Sequence, residues 1–363
     1  MLPFFTDVFG NPASAGHQFG WRAQEAVERA RREVATLIGA AARDVVFTSG
    51  ATESNNLAIA GIAEAGDGAR RHIAVSAIEH KSVLERAARL GASGWRVTEL
   101  PVRPDGRLNM DAAARAITDD TALVSVMAAN NEIGVIQPLA EIGGLAHRAG
   151  ALFHVDAAQA VGKIPIDVNA MNVDLLALTG HKMYGPKGCG ALFVRRHTPL
   201  EPLIVGGGQE RGIRSGTLNV PGIVGLGRAC AICQAEMGEE SARTARLRDR
   251  LLAGLRGRLD GVGVNGSMEA RLPNNLNVTF EGVDGESLLI GISDIAVSSG
   301  SACGSASATP SHVLRAIMGE AVPSATIRFG LGRFTTEADI DYAVEKFATV
   351  VRHLQEQALG ARR

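Results

Sequence analysis

The stretch Ala151-Leu-Phe-His-Val-Asp-Ala-Ala-Gln159 indicates the fold class, because an apolar run is followed directly by a carboxylate. Short runs that are apolar on both faces are typical of buried parallel strands. Working outward, similar runs alternate with segments of helical period, such as Trp21–Ile38, through most of the first 200 residues. The predicted strands are Asp44–Thr48, Ile73–Ile78, Trp95–Leu100, Thr121–Ala128, Ala151–Val155, Asp174–Leu178 and Ala191–Val194. This alternation predicts an α/β fold whose mainly parallel sheet is covered by helices.

The pattern changes near Met237, where an arginine-rich helix is predicted from Glu239 to about Leu259. Short strands and helices follow, and a last helix is predicted from Glu337 to about Gln357. We therefore expect a large domain over residues 1–238 and a smaller α+β domain over residues 239–363. The six arginines of the first helix form either a docking face for an acidic partner or a solvated helix surface. The balanced total charge favours the solvated surface.

The composition excludes several classes of protein. The 363 residues contain 37 lysines and arginines against 38 aspartates and glutamates, a balance that gives no electrostatic basis for direct nucleic-acid binding. The hydrophobic share of 46% is typical of a globular protein rather than a disordered one. No uncharged apolar stretch is long enough to cross a bilayer, and the four cysteines have no regular spacing. We therefore expect a cytoplasmic protein without membrane contact, disulfides or a resident metal.

A strand-to-helix turn, Thr48-Ser-Gly-Ala-Thr-Glu53, has the composition of a phosphate site. Free N–H groups at a helix start, together with hydroxyl groups, bind anions well. The alternative is an ordinary helix cap formed by a serine or threonine. The turn also lacks the glycine spacing of a dinucleotide-binding fingerprint, which argues against a dinucleotide ligand.

Two further residues extend this pattern. Asp156 follows a buried strand, at the end where α/β sheets place their ligands, although it could simply cap the next segment. Lys182 lies in Thr179-Gly-His-Lys-Met-Tyr-Gly-Pro-Lys-Gly188, directly after the next strand, where an amine can form a Schiff base. The alternative is a lysine whose amine extends to solvent. A phosphate site, a strand-end aspartate and such a lysine are together what pyridoxal phosphate requires.

Seven motifs, in this order, resemble those of the cysteine desulfurases of the NifS/IscS-like group, which belong to the class V aminotransferase family. They are Gly50-Ala-Thr-Glu-Ser-Asn-Asn, Glu79-His-Lys, Asn130-Asn-Glu-Ile-Gly, His154-Val-Asp-Ala-Ala-Gln, Gly180-His-Lys-Met-Tyr-Gly-Pro-Lys-Gly, Arg214-Ser-Gly-Thr and Ser298-Ser-Gly-Ser-Ala-Cys. The similarity extends in unbroken order from Phe9 to about Tyr342. It implies an aspartate-aminotransferase-like (type I) fold, a homodimer, and pyridoxal 5'-phosphate as the cofactor.

The resemblance also implies roles for individual residues. Lys182 would hold the cofactor covalently, Asp156 would pair with its pyridine nitrogen, and His80 would stack on its ring. The implied cofactor ligands are Ala51, Thr52, His80, Asn131, Asp156, Gln159, Thr179, His181, Lys182 and, from the other subunit, Thr217. Arg328 and Asn131 would bind the substrate, Arg328 through a bidentate contact with its carboxylate.

Cys303 is the residue that decides the reaction. The surrounding segment from Ser298 to Ser311 is rich in serine and has no charged residue, which predicts a loop that presents a thiol. An incidental surface cysteine is the alternative. The resemblance implies that Cys303, with Lys182 and His80, forms the catalytic set: its thiol takes sulfur from L-cysteine as a persulfide, leaving L-alanine. It could also ligate an iron–sulfur cluster transiently. The pair Cys230 and Cys233 favours a buried helix face over a zinc site.

The sulfur acceptor is expected to be another protein, either an iron–sulfur scaffold or a protein of nucleic-acid thiolation. Alternative activities are a selenocysteine lyase or another class V lyase or aminotransferase, although an aminotransferase needs no nucleophilic thiol. A further alternative is a non-catalytic sulfur-relay subunit. Relatives carry a Leu-Asp-Asn-Ala-Ala-Thr-Thr segment before the Gly10-Asn-Pro motif, and this sequence starts after that segment. A chain without the segment could lack activity, which is the reason for this alternative. The sequence also ends without the long tail by which some relatives bind a scaffold.

Overall fold

The computed structural model describes residues 1–66, 68–299 and 311–360. The chain forms two compact units. Unit 1 contains Met1–Pro101, Leu108–Ala128 and Gln137–Met237, and unit 2 contains Val102–Arg107, Ala129–Ile136 and Gly238–Arg363. Two short segments from the first half of the chain, 102–107 and 129–136, thus lie in unit 2, whereas the sequence assigned them to the large domain.

Unit 1 is built on a seven-stranded sheet. Its strands are β1 (Val45–Thr48), β2 (His72–Ser76), β3 (Arg96–Leu100), β4 (Thr121–Ser125), β5 (Leu152–Asp156), β6 (Leu175–Thr179) and β7 (Gly190–Val194), in the order β1-β7-β6-β5-β4-β2-β3. The sequence predicted all seven strands. Five neighbouring strands are parallel, as predicted, whereas β7 is antiparallel to both β1 and β6. The link from β6 to β7 is too short for a crossover helix, so the chain must return in the opposite direction.

Apart from the short helix at Pro3–Thr6, which has no buried residue, the helices of unit 1 each bury part of their surface. They are α1 (Pro3–Thr6), α2 (Gln18–Leu37), α3 (Ala51–Ala65), α4 (Lys81–Ala92), α5 (Met110–Ala116) and α6 (Leu139–Arg148). In α2 the residues Ala23, Val27, Ala30 and Val34 recur at helical spacing and are all buried. The core combines side chains of α3 with those of the strands, for example Leu57, Ile59, Ile73, Leu123 and Leu192.

Helix α7 (Val220–Arg256) begins well before the predicted Glu239, and the chain passes from unit 1 to unit 2 within it. Several glycines in its first turns argue against a helix when propensity alone is considered. Tertiary packing overrides that preference, because Leu226, Cys230 and Cys233 are buried along one face. The prediction that the Cys230–Cys233 pair lies on a buried helix face is therefore confirmed.

The described residues of unit 2 form a four-stranded antiparallel sheet and three further helices. The strands are β8 (Val262–Val264), β9 (Asn275–Phe280), β10 (Ser298–Ser299) and β11 (Thr326–Gly330), in the order β10-β11-β9-β8, and the helices are α8 (Gly285–Gly291), α9 (His312–Met318) and α10 (Glu337–Gly360). Three aromatic rings form the centre of its core. The Phe347 ring lies 5.5 Å from that of Phe280 and 4.9 Å from that of Phe329, between ring centroids.

Several arginines of α7 make contacts inside unit 2 instead of forming a docking face. Arg243 donates to the carbonyl oxygens of residues 332, 333 and 335, and Arg250 pairs with Glu337 and Asp341. Arg258, which follows the end of α7, pairs with Glu345. These contacts favour the structural interpretation of the cluster. Among the residues described, no helix has both the length and the apolar composition needed to cross a bilayer.

Candidate active site

The carboxyl ends of six strands in unit 1 lie at one edge of the sheet. Because β7 is antiparallel to both β1 and β6, β1 has the same direction as the parallel strands. Thr48, Asp156 and Thr179 are the last residues of β1, β5 and β6 and therefore lie along this edge. This is the edge where α/β sheets bind ligands.

The turn from β1 to α3 is shaped as an anion site. Gly50 has φ 153° and ψ 179°, a conformation that is essentially restricted to glycine. A Cβ atom added to Gly190 would come within 2.6 Å of the Gly50 Cα atom, so the turn can approach β7 this closely only with glycine there. Gly50 has no side chain to cap α3, and the first N–H groups of the helix, at Ala51 and Thr52, have no intrahelical acceptor. The two predicted phosphate ligands thus lie at an uncapped helix start.

The segment after β6 lies beside this turn. The Thr179 hydroxyl is 3.0 Å from Nδ1 of His181, and a Cβ atom at Gly50 would lie 3.5 Å from the same hydroxyl. Partial burial, together with the charges of Lys182 and Lys187, lowers the pKa of His181. Thr179 and His181, both predicted phosphate ligands, therefore border the turn.

Lys182 ends a short 3-10 helix, Gly180–Lys182, and its side chain is exposed. The sequence left open whether this amine forms a Schiff base or extends to solvent. Gly180 is still buried, and the 3-10 turn exposes His181 and Lys182 at the sheet edge. The amine is thus at the surface of the isolated chain, at the same edge as Asp156.

Asp156 is only 5% exposed at the end of β5. Its Oδ2 atom accepts a hydrogen bond from Asn55 Nδ2 at 2.7 Å, and its Oδ1 atom accepts one from the Ala158 N–H at 2.9 Å. Burial raises the pKa of this carboxyl group, while the two donors and the nearby His80 act in the opposite direction. A buried carboxylate that two N–H groups hold in place suits pairing with a protonated ring nitrogen.

A hydrogen-bond chain connects Asp156 to His80. The Asn55 amide also donates to Ser82 Oγ at 2.9 Å, and Ser82 Oγ is 2.9 Å from His80 Nδ1. Since His80 Nδ1 also accepts from the backbone N–H of Ser82, this nitrogen is an acceptor and the ring proton of neutral His80 belongs on Nε2. Sequence reasoning gave no role to Asn55 or Ser82, although both lie in or beside the quoted motifs.

A second carboxyl group, Glu79, is fully buried beside Asp156. Burial and the Asp156 charge raise the pKa of Glu79 well above its ordinary value, and its Oε1 atom accepts from the Met127 N–H. Two neighbouring buried carboxyl groups do not both ionise easily. The raised pKa of Glu79 favours its neutral form, and a neutral Glu79 would leave the negative charge to Asp156.

Two predicted cofactor ligands have less defined surroundings. Gln159 is half-buried, and both its carbonyl oxygen and its Oε1 atom accept from Lys163 Nζ, at 3.1 and 3.4 Å. Thr217 is exposed in the loop that precedes α7. The Lys163 contacts of Gln159 and the exposed position of Thr217 do not place either residue at the sheet edge.

The predicted substrate-binding residues, Asn131 and Arg328, lie together in unit 2. Arg328, on β11, donates from Nη1 to the Asn131 carbonyl and from Nη2 to Ser298 Oγ, each at 2.9 Å. A guanidinium group has five N–H donors, so these two bonds leave further donors for a carboxylate. Cys303, the predicted nucleophile, lies outside the described residues.

The residues of unit 1 fit pyridoxal phosphate. The uncapped start of α3 suits the phosphate, the buried Asp156 suits the ring nitrogen, and Lys182 lies at the same edge. In the described ranges there is no group of three or more His, Cys, Asp or Glu side chains that could hold a metal ion.

Comparison with known proteins agrees with this interpretation. The family described as aminotransferase class-V matches residues 1–343. "Cysteine desulfurase IscS" of Anaeromyxobacter sp. (strain K) is 54% identical over 99% of this chain and 89% of its own length. A solved structure described as a NifS-like protein is 37% identical, with a TM-score of 0.91 over 97% of this chain and 94% of that chain. Another, "SspA in complex with cysteine", is 38% identical, with a TM-score of 0.78 over 92% of this chain and 94% of that chain.

These matches cover nearly the whole chain, and their sequence identities are high enough to assign the chain to a family. They also agree with the mainly parallel sheet of unit 1. The type I fold expected from the sequence is therefore confirmed. The chain belongs to the class V aminotransferase family of pyridoxal-phosphate enzymes.

Proposed function

We propose that this protein is a pyridoxal-phosphate-dependent cysteine desulfurase. It converts L-cysteine to L-alanine and takes up the sulfur as a persulfide on Cys303. The observation that carries the proposal is the chain from Asp156 through Asn55 and Ser82 to His80, beside the uncapped start of α3. The 54% identity to a protein named cysteine desulfurase supports the choice of reaction. The relative described in complex with cysteine supports L-cysteine as the substrate.

When bound, pyridoxal phosphate supplies an electron sink for the electron pair of the substrate Cα–H bond. The chain's own residues prepare the site for this. Asp156 would pair with the ring nitrogen, because Asn55 and the Ala158 N–H stabilise its ionised form and the raised pKa of Glu79 favours the neutral form of that neighbour. His80 holds its proton on Nε2, since Nδ1 accepts from the Ser82 N–H. Lys182 is the base that removes the proton from the substrate Cα atom and returns it.

The remaining roles belong to Arg328 and Cys303. Arg328 binds the substrate carboxylate with donors that Asn131 and Ser298 do not use. The Cys303 thiolate attacks the substrate sulfur, so that an S–S bond forms while the substrate Cβ–S bond breaks. The electron pair of the broken bond stays on Cβ, which takes up a proton and becomes the methyl group of alanine. The products are L-alanine and a persulfide on Cys303.

We further propose that the protein works as a cytoplasmic homodimer. In unit 1 the large apolar side chains of Phe9, Phe19, Trp21 and Val205 are exposed, which supports a partner surface. Thr217 would then contact the cofactor phosphate of the partner subunit. The persulfide would pass to an acceptor protein, either an iron–sulfur scaffold or a protein of nucleic-acid thiolation.

The function is tested by incubating the holoenzyme with L-cysteine and measuring alanine and sulfide together. Peptide mass spectrometry without reductant should locate one added sulfur atom on the peptide that contains Cys303. Selenocysteine serves as the competing substrate. Alanine formation from selenocysteine alone would favour a selenocysteine lyase, and the absence of alanine from both substrates would favour a non-catalytic sulfur-relay subunit.

Replacing Asp156 with asparagine should lower turnover about 100-fold or more, because the ring nitrogen loses its negative partner. The cofactor should still bind, since the start of α3 and Thr179 are unchanged. Steady-state alanine formation and a cofactor titration measure the two effects separately. Asp167→Asn, at an exposed aspartate of the same unit, is the matched control. Near-normal turnover in Asp156→Asn would show that Asp156 is only structural.

Replacing Arg328 with lysine should raise the KM for L-cysteine about tenfold with a smaller effect on kcat, because an ammonium group cannot bind a carboxylate in bidentate fashion. Initial rates over a range of L-cysteine concentrations give both constants. Arg352→Lys, at an exposed arginine of the same unit, should leave both constants unchanged. An unaltered KM in Arg328→Lys would remove Arg328 from the substrate site.

A further inference from the structure

We propose that residues 208–217 of unit 1 form a brace for the phosphate-binding turn, with Glu53 and Arg214 as positioning residues that set the affinity for the cofactor phosphate. Here the brace means loop 208–217 together with its contacts to β1 and α3. The inference rests on the proposed function in one respect, because it takes pyridoxal phosphate as the ligand. It assigns a role to side chains that do not themselves touch the phosphate.

The first contact of the brace is on the helix side of the turn. Glu53 Oε2 accepts from the Ser49 N–H at 2.8 Å, which connects the first turn of α3 to the residue before Gly50. Arg214 donates from Nε to Glu53 Oε1 at 2.8 Å and from Nη2 to Oε2 at 3.3 Å. The Glu53 and Arg214 side chains are only 13% and 21% exposed. One carboxylate thus links the turn to the loop.

The second contact is on the strand side of the turn. Both carboxylate oxygens of Glu210 accept from Arg31, at 2.7 and 2.8 Å, and Oε2 also accepts from the Phe47 N–H at 2.7 Å. Arg31 donates to the Val45 carbonyl at 2.9 Å. Glu210 and Arg31 are both buried. The segment from Val45 to Glu53, which contains the turn, is therefore held at both ends by carboxylates that are paired with arginines.

The loop itself is locally constrained. Glu210 and Arg211 have φ angles of 48° and 60°, which non-glycine residues rarely adopt. The Gly216 N–H donates to Gln209 Oε1 at 2.7 Å, and the Gly208 N–H donates to Ser215 Oγ at 3.2 Å. Such backbone conformations persist only where the surroundings fix them, and they are concentrated at functional sites. A loop built this way can impose a fixed geometry on the turn that it contacts.

The charges of Glu53 and Arg214 affect how strongly a phosphate binds at the start of α3. Burial opposes ionisation of Glu53, yet its hydrogen bonds from Arg214 and Ser49 lower its pKa, so that it is ionised at neutral pH. A carboxylate in the first turn of α3 would repel a phosphate bound at the same helix start. Arg214 neutralises that charge while it holds the carboxylate in position. Loss of the Arg214 charge alone should therefore weaken phosphate binding more than loss of the Arg214 and Glu53 charges together.

The test compares pyridoxal phosphate with pyridoxal, which lacks the phosphate, as ligands of the full chain after removal of bound cofactor. The variants are Arg214→Gln, Glu53→Gln and the double variant, and Glu25→Gln, at an exposed ion pair of α2, is the matched control. Arg214→Gln should raise the Kd for pyridoxal phosphate about tenfold or more, with little change for pyridoxal. The double variant should bind pyridoxal phosphate more tightly than Arg214→Gln does. Circular dichroism and thermal unfolding check that each variant is folded.

The brace is overturned by equal weakening of both ligands in Arg214→Gln, or by a double variant that binds pyridoxal phosphate no better than Arg214→Gln does. Failure of the proposed function has a different signature. In that case the wild-type chain itself would bind pyridoxal phosphate no better than pyridoxal. A wild-type preference for the phosphate ester that all three variants retain in full would reject the brace alone.

Discussion

Lys182→Ala is expected to abolish turnover, by about 10⁴-fold or more, while the fold is kept. Lys182 is exposed on the 3-10 turn after β6, so its removal leaves no cavity in the core. Its amine, by contrast, is needed both to hold the cofactor covalently and to move the proton at the substrate Cα atom. Activity should therefore be lost without a change in the unfolding temperature of the cofactor-free chain.

Covalent attachment provides a second measurement for the same residue. Borohydride treatment of the wild-type holoenzyme should fix the cofactor irreversibly to one peptide, and the chain has only five lysines to distinguish. Lys187→Ala, in the same turn and also exposed, is the matched control and should still be labelled. Labelling of Lys187 or Lys163 in the wild-type protein, or turnover by Lys182→Ala, would contradict the assignment.

The strands and the sheet edge could be predicted from the sequence because each depends on a local pattern. Runs such as Leu175–Leu178 are apolar throughout, and a buried strand needs little else to be recognised. The direction of β7 could not be read from its own residues, because an apolar strand looks the same in either direction. The information lay in the link from β6, which is too short for a helix.

The side-chain contacts of the site were less predictable than its principal residues. Asp156 and Lys182 can be recognised in the sequence because each lies at or just after the end of an apolar run. Asn55 cannot be recognised in this way, since its role depends on Ser82 and Asp156, which lie 27 and 101 residues further along the chain. Contacts of this kind follow from the packing of α3 and α4 against the sheet, which no local pattern contains.

Cys303→Ser should lower desulfuration about 10³-fold or more while cofactor and L-cysteine still bind. A serine hydroxyl is not ionised at neutral pH, and its oxygen cannot carry a persulfide. Binding should persist, because it relies on Arg328 and on the residues around Asp156 rather than on the thiol. The cofactor spectrum should therefore still respond to L-cysteine, whereas neither alanine nor sulfide should accumulate.

The other three cysteines provide the controls, because their surroundings make them poor nucleophiles. Cys189, Cys230 and Cys233 are all buried. Burial raises the pKa of Cys189 to about 12 and raises that of Cys230 still further, so that both are thiols at neutral pH. Since only the thiolate attacks sulfur, neither can replace Cys303. Cys189→Ser should retain wild-type turnover. Alanine formation by Cys303→Ser at the wild-type rate, or an added sulfur atom on Cys189 or Cys230, would show that the nucleophile lies elsewhere.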